Sequence, residues 1–491
     1  MKQTRREFLL KSTSALSMTA LATQAEHFGL MTAFAQKSKR RGESAVDDYR
    51  ALVCIYLSGG NDANNMIIPN HSDANVSNYA AYSAARGGQG LAIAQNALLP
   101  ISVPRIGNLT YGLHPSFGTI TGGINNGIHE LWATGKLAAV TNIGTLVQPL
   151  TRQQYQTGSA PRPMQLFSHT DQTAQHLTCR SDGVSLSGWG GRIADKLTNS
   201  ANPLRLIPTG STVGGPLLFN VGENTQPVSI GPAPTPLSSV LSLIGFNNTT
   251  AATARFTALT EALNIEQNQE LVAASSNYHR QAINISNALN STADVTVAFP
   301  NTDLGNELKQ IARLIKNRDV LNMKRQIFFC TLDGFDSHTS QLGTHVTLYG
   351  RLSQAMRAFY EEMVVQGLGD KVTQFTLSDF NRTFNPSGVG SVVGTDHAWG
   401  SHSFILGGGV IGGNFYGVNT SNGTPFQSLV LNGPDDSDSG SGARGRWIPT
   451  TSVDQYAATL AKWFGLENAD LNYVFPNLHN FSQNDLGFMT V

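Results

Sequence analysis

Two short clusters of carboxylates and imidazoles contain the side chains that bind divalent metal ions. The segment Gly394-Thr-Asp-His-Ala-Trp-Gly-Ser-His402 holds Asp396, His397 and His402, and an earlier glycine-containing turn holds Asp336 and His338. Carboxylate oxygens combined with imidazole nitrogens suit Zn²⁺, Mn²⁺ or Fe, whereas an all-oxygen set would favour Mg²⁺ or Ca²⁺. The two clusters therefore predict a site for one or two divalent metal ions.

Some of these side chains also have a purely structural explanation. Asp336-Ser-His338 can be a helix N-cap followed by a histidine with satisfied hydrogen bonds. The adjacent pair Asp396-His397 is the sharper signal, because such a pair on a glycine-flanked loop has little reason to be buried unless a cation satisfies it. We therefore expect Asp396 and His397 to belong to the site.

Two further aspartates, Asp62 and Asp379, each follow a predicted strand and are candidate metal ligands. Asp62 can instead close an Asx-turn in Gly-Gly-Asn-Asp, and Asp379 can instead pair with Arg382. Arg382 is also the best candidate to orient a phosphate or sulfate group, because its planar guanidinium matches the geometry of these anions.

A hydrolase would need a nucleophile from outside these clusters, and Ser168 and Thr170 are the candidates. Both open a predicted helix, whose free N–H groups help to stabilise an anion. Ser168-His-Thr-Asp171 also resembles a capping box with Asp in place of Glu, so the structural alternative stays open. Three nearby side chains can be ligands or hydrogen-bond partners of ligands: His169, Asp171 and His176.

Continuous apolar segments predict a sheet that is covered on both faces, as in a mostly parallel sheet between helices. The predicted strands are residues 51–57, 137–143, 326–332, 372–377 and 403–406. The predicted helices lie around residues 117–131, 253–289, 304–315, 345–365 and 451–463. Ligands bind at the carboxyl ends of such strands, which is where the candidate residues lie. The fold class expected is α/β, with a doubly wound, mostly parallel sheet.

Composition excludes some classes of partner. Charged residues make up 13% of the 491 residues and the formal net charge is zero, which argues against a nucleic-acid-binding protein. The three cysteines have no metal-binding or redox spacing, so no disulfide framework is expected.

The first 35 residues have the pattern of a twin-arginine signal peptide, with Arg5-Arg6 before an apolar stretch and a small-residue cleavage site near Ala35. This predicts export by the twin-arginine machinery to the periplasm or beyond. Residues 36–50 are expected to be a linker and 51–491 one domain, with an insertion at about 196–300 and a mobile loop at 432–446. No segment after the leader is long and apolar enough to span a membrane.

Several segments in order resemble the exported bacterial domain family of unknown function that belongs to the alkaline phosphatase and sulfatase clan. They are the leader, Gly59-Gly-Asn-Asp62, Gly334-Phe-Asp-Ser-His338, Ser378-Asp-Phe-Asn-Arg-Thr383, Gly394-Thr-Asp-His-Ala-Trp-Gly400 and Leu406-Gly-Gly-Gly-Val-Ile-Gly-Gly413. The resemblance covers nearly the whole chain after the leader. It implies an alkaline-phosphatase-like α/β sandwich with metal ligands on loops at one sheet edge.

The resemblance also implies roles for individual residues. Asp62 is similar to the first-strand ligand of the clan, Asp336 and His338 to its carboxylate–histidine pair, and Asp379 to its later strand-end ligand. His397, with Asp396, is similar to the final contribution to the metal site. A Ser or Thr nucleophile and two metal ions complete the arrangement.

Two functional hypotheses follow. The first is an exported metal-dependent hydrolase of phosphate or sulfate esters, in which Ser168 or Thr170 attacks and Arg382 orients the anion. The second is a non-catalytic secreted module that keeps the fold and binds a polysaccharide or another protein. Turnover of aryl phosphates or sulfates would separate them.

Overall fold

The computed structural model describes residues 48–238, 249–264 and 294–490, together with individual residues between 276 and 289. The predicted leader and most of the predicted linker lie outside the described residues. Among the described residues, no helix combines the length and apolarity needed to cross a membrane.

Nine strands form a central mixed sheet and three form a small antiparallel one. The central sheet has the order β11-β5-β10-β9-β1-β8-β6-β7, with β12 also paired to β5, and the small sheet has the order β2-β4-β3. The strands are β1 Arg50–Ser58, β2 Ile67–Pro69, β3 Leu99–Val103, β4 Leu109–Leu113, β5 Leu137–Gly144, β6 Gly210–Thr212, β7 Val228–Ser229, β8 Arg325–Asp333, β9 Val372–Ser378, β10 Ser401–Gly407, β11 Phe415–Tyr416 and β12 Thr451–Ser452.

Helices cover both faces of the central sheet. Those of the described residues are α1 Ala63–Met66, α2 Tyr79–Arg86, α3 Glu130–Ala133, α4 Arg152–Thr157, α5 His169–Thr178, α6 Trp189–Ala201, α7 Thr250–Ala262, α8 Asp303–Lys316, α9 Gln341–Val365, α10 Val453–Phe464 and α11 Leu471–Val474. The predicted fold class, a mostly parallel sheet between helices, is confirmed.

Strand β1 shows why its sequence is continuously apolar. Alternate residues of a strand point to opposite faces of the sheet. Val53 and Ile55 belong to the core that α8 and α9 cover, whereas Cys54 and Tyr56 belong to the core that α6 and α10 cover. Both faces of the strand are therefore buried from solvent, as the sequence predicts.

The order of the strands brings four chain segments to one edge of the sheet. β1 pairs in parallel with β8 and with β9, so the carboxyl ends of all three meet there. β10 runs antiparallel to β9, so the loop that precedes β10 reaches the same edge. This topology places the loops containing Asp336, Asp379 and His397 next to one another.

The helix predicted over residues 117–131 is wrong. The structure has only a 3-10 turn at Pro115–Phe117 and the short helix α3, with turns between them. Gly127 lies so close to the Phe117 backbone that a Cβ there would be 1.9 Å from the Phe117 carbonyl oxygen. The glycines of this segment thus allow two stretches of backbone to lie close together, whereas the spacing of its isoleucines suggested a helix.

Two further segments have a defined place in the fold. The segment predicted as an insertion contributes β6 and β7 to the edge of the central sheet. The loop predicted as mobile, residues 432–446, is instead held by hydrogen bonds: buried Asp436 accepts from the backbone N–H groups of Asp438 and Arg446. Three buried or half-buried aspartates organise this loop from within: Asp435, Asp436 and Asp438.

Candidate metal centre

Three imidazoles and one carboxylate converge at the carboxyl edge of the sheet. His397 Nε2 lies 3.1 Å from His169 Nε2, 3.2 Å from His338 Nε2 and 3.4 Å from Asp336 Oδ1. Asp336 Oδ1 is also 3.4 Å from His169 Nε2 and 3.0 Å from His338 Nε2. We call these four residues the metal cluster. Their side chains are 25–47% exposed, so solvent and a substrate can reach them.

The other nitrogen of each imidazole is anchored by an oxygen. His169 Nδ1 lies 2.6 Å from Asp379 Oδ2, and His338 Nδ1 lies 3.2 Å from Asp396 Oδ1. His397 Nδ1 lies 2.8 Å from the carbonyl oxygen of Phe167. Because these oxygens accept hydrogen bonds, each Nδ1 carries a hydrogen, and each Nε2 is directed into the cluster. Metal-binding histidines have this arrangement.

Facing lone pairs repel one another unless a proton or a cation lies between them. His169, Asp336 and His397 each place one ligand atom within 4.8 Å of the others, which is the spacing of ligands around one ion. His338 adds a fourth donor. Three nitrogens and one carboxylate oxygen are the donors that Zn²⁺, Mn²⁺ and Fe²⁺ accept, whereas Ca²⁺ and Mg²⁺ prefer oxygen alone. The residues present therefore fit a divalent transition metal.

The charges around the cluster are arranged so that its carboxylate stays ionised. Partial burial acts to raise the pKa of Asp336, but the 2.8 Å hydrogen bond from Arg382, its positive charge and the nearby His338 and His169 together outweigh burial, so the pKa is lowered. The hydrogen bond to Asp379 raises the pKa of His169, although burial opposes this. Burial lowers the pKa of His397. At neutral pH the cluster thus combines a carboxylate with a neutral His397.

Two glycines allow the strand ends to approach one another. Gly59 and Gly60 follow β1 with φ angles of +111° and +84°, which residues with a side chain rarely adopt. A Cβ on Gly59 would lie 2.4 Å from the backbone nitrogen of Asp336, and one on Gly60 would lie 2.6 Å from the ring of Phe380. Phe380 itself packs against the rings of His169 and His397, with centroids 4.7 and 4.8 Å away.

The structure brings together Asp336, His338 and His397, which the sequence identified as candidate ligands. Asp379 and Asp396, also expected as ligands, lie one layer further out and hydrogen-bond the Nδ1 atoms of ligand histidines. Such outer partners fix the orientation of the ring and raise its basicity. Their oxygens face the Nδ1 atoms, which is the position of an orienting partner and not of a ligand.

Asp62 is not in the cluster, contrary to expectation. It is fully buried, caps α1 and forms an ion pair with Arg86 of α2, with an Oδ2–Nη1 distance of 2.6 Å. Gln341 donates a further hydrogen bond to Asp62 Oδ2. With all these donors around it, the carboxylate has no oxygen directed at the imidazoles.

His402 is also outside the cluster. It lies on β10 with its ring packed against Phe426, and its Nδ1 accepts a hydrogen bond from the backbone N–H of Asn142. Its Nε2 is buried without a hydrogen-bond partner among the described residues. The position in the strand, and not in the loop before it, directs the imidazole into the core.

His402 predicts a pH dependence of stability. Burial lowers its pKa to about 4 from the ordinary 6.5, so the unfolded chain takes up a proton before the folded one does. The stability that this contributes is complete above pH 6.5 and is lost as pH falls toward 4, on the order of 1–2 kcal/mol at pH 5. Melting temperatures of the wild type and His402→Asn at pH 7.5 and pH 5 should show a smaller acid decrease in the variant. The exposed His479→Asn is the control, and an equal decrease in His402→Asn would contradict the assignment.

Arg382 is buried, and it contacts the cluster through Asp336 instead of facing solvent. Ser168 precedes α5, and its hydroxyl donates to Asp171 Oδ2 over 2.6 Å. Thr170 is exposed on the first turn of the same helix. Of the two candidate nucleophiles, only Ser168 therefore has a carboxylate placed to accept its hydrogen.

His169 is the ligand whose role the sequence left open. Its position results from α5 packing beside β9, which brings it to Asp379 across 210 positions of sequence. The one signal in the sequence was a histidine beside Ser168 at the start of a predicted helix. Nothing local tells such a histidine apart from one that caps a helix.

Asp379→Asn should weaken metal binding by about 10–100-fold, because the carboxylate accepts from both the Gly59 N–H and His169 Nδ1, whereas an amide has only one acceptor oxygen for the two. Calorimetric titration of the metal-free protein with Zn²⁺ measures this. Asp319→Asn, at a side chain that is 76% exposed, should bind as the wild type does. Equal affinities for the two variants would show that Asp379 does not orient the ligand.

A family described as a protein of unknown function (DUF1501) matches residues 129–428. The chain belongs to this family. The DUF1501 match includes all four residues of the metal cluster, whereas Asp62 and Arg86 precede it. No curated protein matches the chain.

Three solved structures show a distant likeness to this DUF1501 protein, each at 9% identity. Ps i-CgsB in complex with k-i-k-neocarrahexaose has a TM-score of 0.30, with 89% of this chain and 75% of that one covered. The lipoteichoic acid synthase LtaP from Listeria monocytogenes has 0.27, with 79% and 70% covered. The PsFucS1 sulfatase from Pseudoalteromonas sp. has 0.25, with 82% and 68% covered. At these TM-scores the likeness carries no conclusion about activity.

Proposed function

We propose that this DUF1501 protein is an exported, divalent-metal-dependent hydrolase of phosphate or sulfate esters, related to the alkaline phosphatase and sulfatase clan. The observation that supports it most is the orientation of the three histidines. Each Nδ1 is held by an oxygen, and the three Nε2 atoms meet at Asp336. Facing lone pairs in a partly buried set repel one another unless a proton or a cation lies between them, and one divalent ion would satisfy all of them together.

A bound divalent ion would balance the charge of the site. Three carboxylates around the cluster, Asp336, Asp379 and Asp396, are accompanied by two guanidinium groups, those of Arg382 and Arg444. With the carboxylate of Asp171 beside Ser168, one divalent ion brings the net charge of these groups to zero. When bound, such an ion would offset charge on an ester oxygen and activate a nucleophile.

Ser168 is the nucleophile that the geometry favours. It precedes the ligand His169, and Phe167 on its other side accepts the hydrogen of His397 Nδ1. Ser168 also lies at the N-terminus of α5, a ten-residue helix whose free N–H groups favour a negative charge. Asp171 accepts the hydrogen of the hydroxyl.

The test uses purified protein that begins after the predicted cleavage site near Ala35. Elemental analysis and melting temperatures with added Zn²⁺, Mn²⁺, Fe²⁺, Mg²⁺ and Ca²⁺ measure metal binding. Aryl phosphates and aryl sulfates measure turnover, with Ser168→Ala expected to be inactive and the matched Thr170→Ala active. Absence of any bound ion, together with no rise in melting temperature, would remove the proposal.

A second candidate is a secreted binding module that retains the metal cluster without catalysis. It is favoured by Arg382, whose guanidinium is fully buried and therefore cannot clamp an anion. Metal binding without turnover of any ester in the panel would favour this candidate.

Export by the twin-arginine route belongs to either proposal. It is tested with a fusion that carries residues 1–50, whose secretion should be lost when Arg5 and Arg6 are both replaced by lysine.

A further inference from the structure

A buried row of polar side chains runs behind Asp336, on the side away from the imidazoles. We call it the support chain. Its members, all fully buried, are Arg382, Thr395, Gln341, Asp62 and Arg86. Arg382 Nε donates to Thr395 Oγ1 over 3.3 Å, and the Thr395 hydroxyl donates to Gln341 Oε1 over 2.5 Å. Gln341 Nε2 then donates to Asp62 Oδ2 over 2.5 Å. Four chain segments distant in sequence are thereby connected.

The hydrogen bonds from Arg382 through Thr395 and Gln341 all run toward Asp62, where Arg86 donates from the other side. A hydroxyl has one hydrogen and two lone pairs, so Thr395 accepts from Arg382 and donates its one hydrogen to Gln341. The Gln341 amide oxygen accepts this hydrogen because its NH₂ group faces the Asp62 carboxylate. Asp62 remains ionised next to Arg86, so the end of the row away from Asp336 is fixed by a buried ion pair. Each side chain thus sets the orientation of the next.

The support chain ends at the ligand carboxylate. Arg382 Nη1 donates to Asp336 Oδ1 over 2.8 Å and to the Gly59 carbonyl oxygen over 3.3 Å, and Nη2 donates to the Thr395 carbonyl oxygen. Every nitrogen of the guanidinium therefore has an acceptor within the protein. Asp336 is 47% exposed and lies on a loop, so Arg382 is the group that restrains it from the protein side.

We propose that Arg382 and Thr395 are positioning residues of the metal cluster: they hold Asp336 Oδ1 where the three imidazoles meet, and Gln341 and the buried Asp62–Arg86 pair fix their orientation. This inference rests on the proposed metal site and assigns Arg382 to the ligand, not to the substrate. A ligand that is already in place before the ion arrives loses less freedom on binding, so the support chain raises the affinity for the ion.

Thr395→Val tests the proposal without removing a charge or much volume. The valine cannot accept from Arg382 or donate to Gln341, so both hydrogen bonds are lost. We expect weaker binding of Co²⁺, by several-fold, and a changed visible absorption spectrum of the Co²⁺ complex. Thr395→Ser restores the hydroxyl and should restore both properties. Arg382→Lys should lower the affinity by ~10–100-fold, as for other direct partners of a metal ligand.

Thr373→Val is the matched control. Thr373 is a fully buried threonine on β9 whose hydroxyl has no hydrogen-bond partner among the described residues, so its removal should leave Co²⁺ affinity unchanged. Melting temperatures of the metal-free variants show that each is folded. All of these measurements are independent of turnover.

The outcomes separate this inference from the proposed function. If the wild type binds Co²⁺ and Thr395→Val binds it as tightly as Thr373→Val does, the inference is wrong and the metal site remains. If Arg382→Lys raises KM for an ester without changing Co²⁺ affinity, Arg382 contacts substrate and the inference is again wrong. If the wild type binds no ion at all, the proposed function itself fails.

Discussion

Replacing His397 by alanine is expected to abolish metal binding by this protein, and with it any turnover of esters. His397 Nε2 is within 3.4 Å of all three other donors of the cluster, so its loss removes the ligand that the two halves of the cluster share. Deleting either His169 or His338 keeps both donors that lie within 3.4 Å of all the others, Asp336 and His397, so the expected losses of affinity are smaller. Elemental analysis, calorimetry with Zn²⁺ and the aryl ester panel measure the three variants side by side.

The control for His397→Ala is His479→Ala, an exposed histidine near the C-terminal end of the chain. It should keep the metal content and melting temperature of the wild type. The thermal shift on adding Zn²⁺ should disappear only in His397→Ala, because an ion that binds the folded state raises its stability. Full metal content in His397→Ala would show that the imidazoles converge for a reason other than metal binding.

Asp62→Asn should have the largest effect on stability and a smaller one on the metal site. Both partners of the Asp62–Arg86 pair are fully buried, so the substitution leaves an uncompensated guanidinium in the core. Breaking such a pair costs about 3–5 kcal/mol. Urea unfolding of the metal-free protein gives the change in free energy, and calorimetry with Zn²⁺ gives the change in affinity.

Asp182→Asn is the matched control, because its carboxylate also pairs with arginine but its side chain is 40% exposed and that of Arg180 is 36% exposed. An exposed pair contributes about 0–1 kcal/mol, so this variant should unfold almost as the wild type does. The double variant Asp62→Asn with Arg86→Met should recover part of the loss, since neither charge is then left alone. A loss of Zn²⁺ affinity in Asp62→Asn without a loss of stability would return Asp62 to the set of ligands.

The strands and the convergence of the loops could be predicted from sequence because both depend on local patterns. A strand covered on both faces must be apolar throughout, and residues 51–57 and 326–332 show this without ambiguity. Parallel strands end at the same edge, so the turns after β8 and β9 had to be neighbours. These two facts suffice to group Asp336, His338 and Asp379.

The distinction between a ligand and the partner of a ligand could not be predicted. Asp379 and Asp336 are both aspartates just after strands, but only Asp336 directs an oxygen at the Nε2 atoms. The difference depends on which ring faces which oxygen, and that is set by packing between elements. Asp62 illustrates the same limit, because its partner Arg86 lies on a helix that has no pattern pointing to the site.

The carbonyl of Phe167 has a consequence for how this family can diverge. Two of the three imidazoles depend on carboxylate side chains, which a single codon change can remove, but His397 is supported by the main chain. What position 167 supplies to His397 is therefore its backbone conformation, with φ at +71°, while the ring separately contacts Arg446. Glycine or asparagine, which adopt this conformation readily, should be tolerated there in homologues, whereas valine or isoleucine should be excluded.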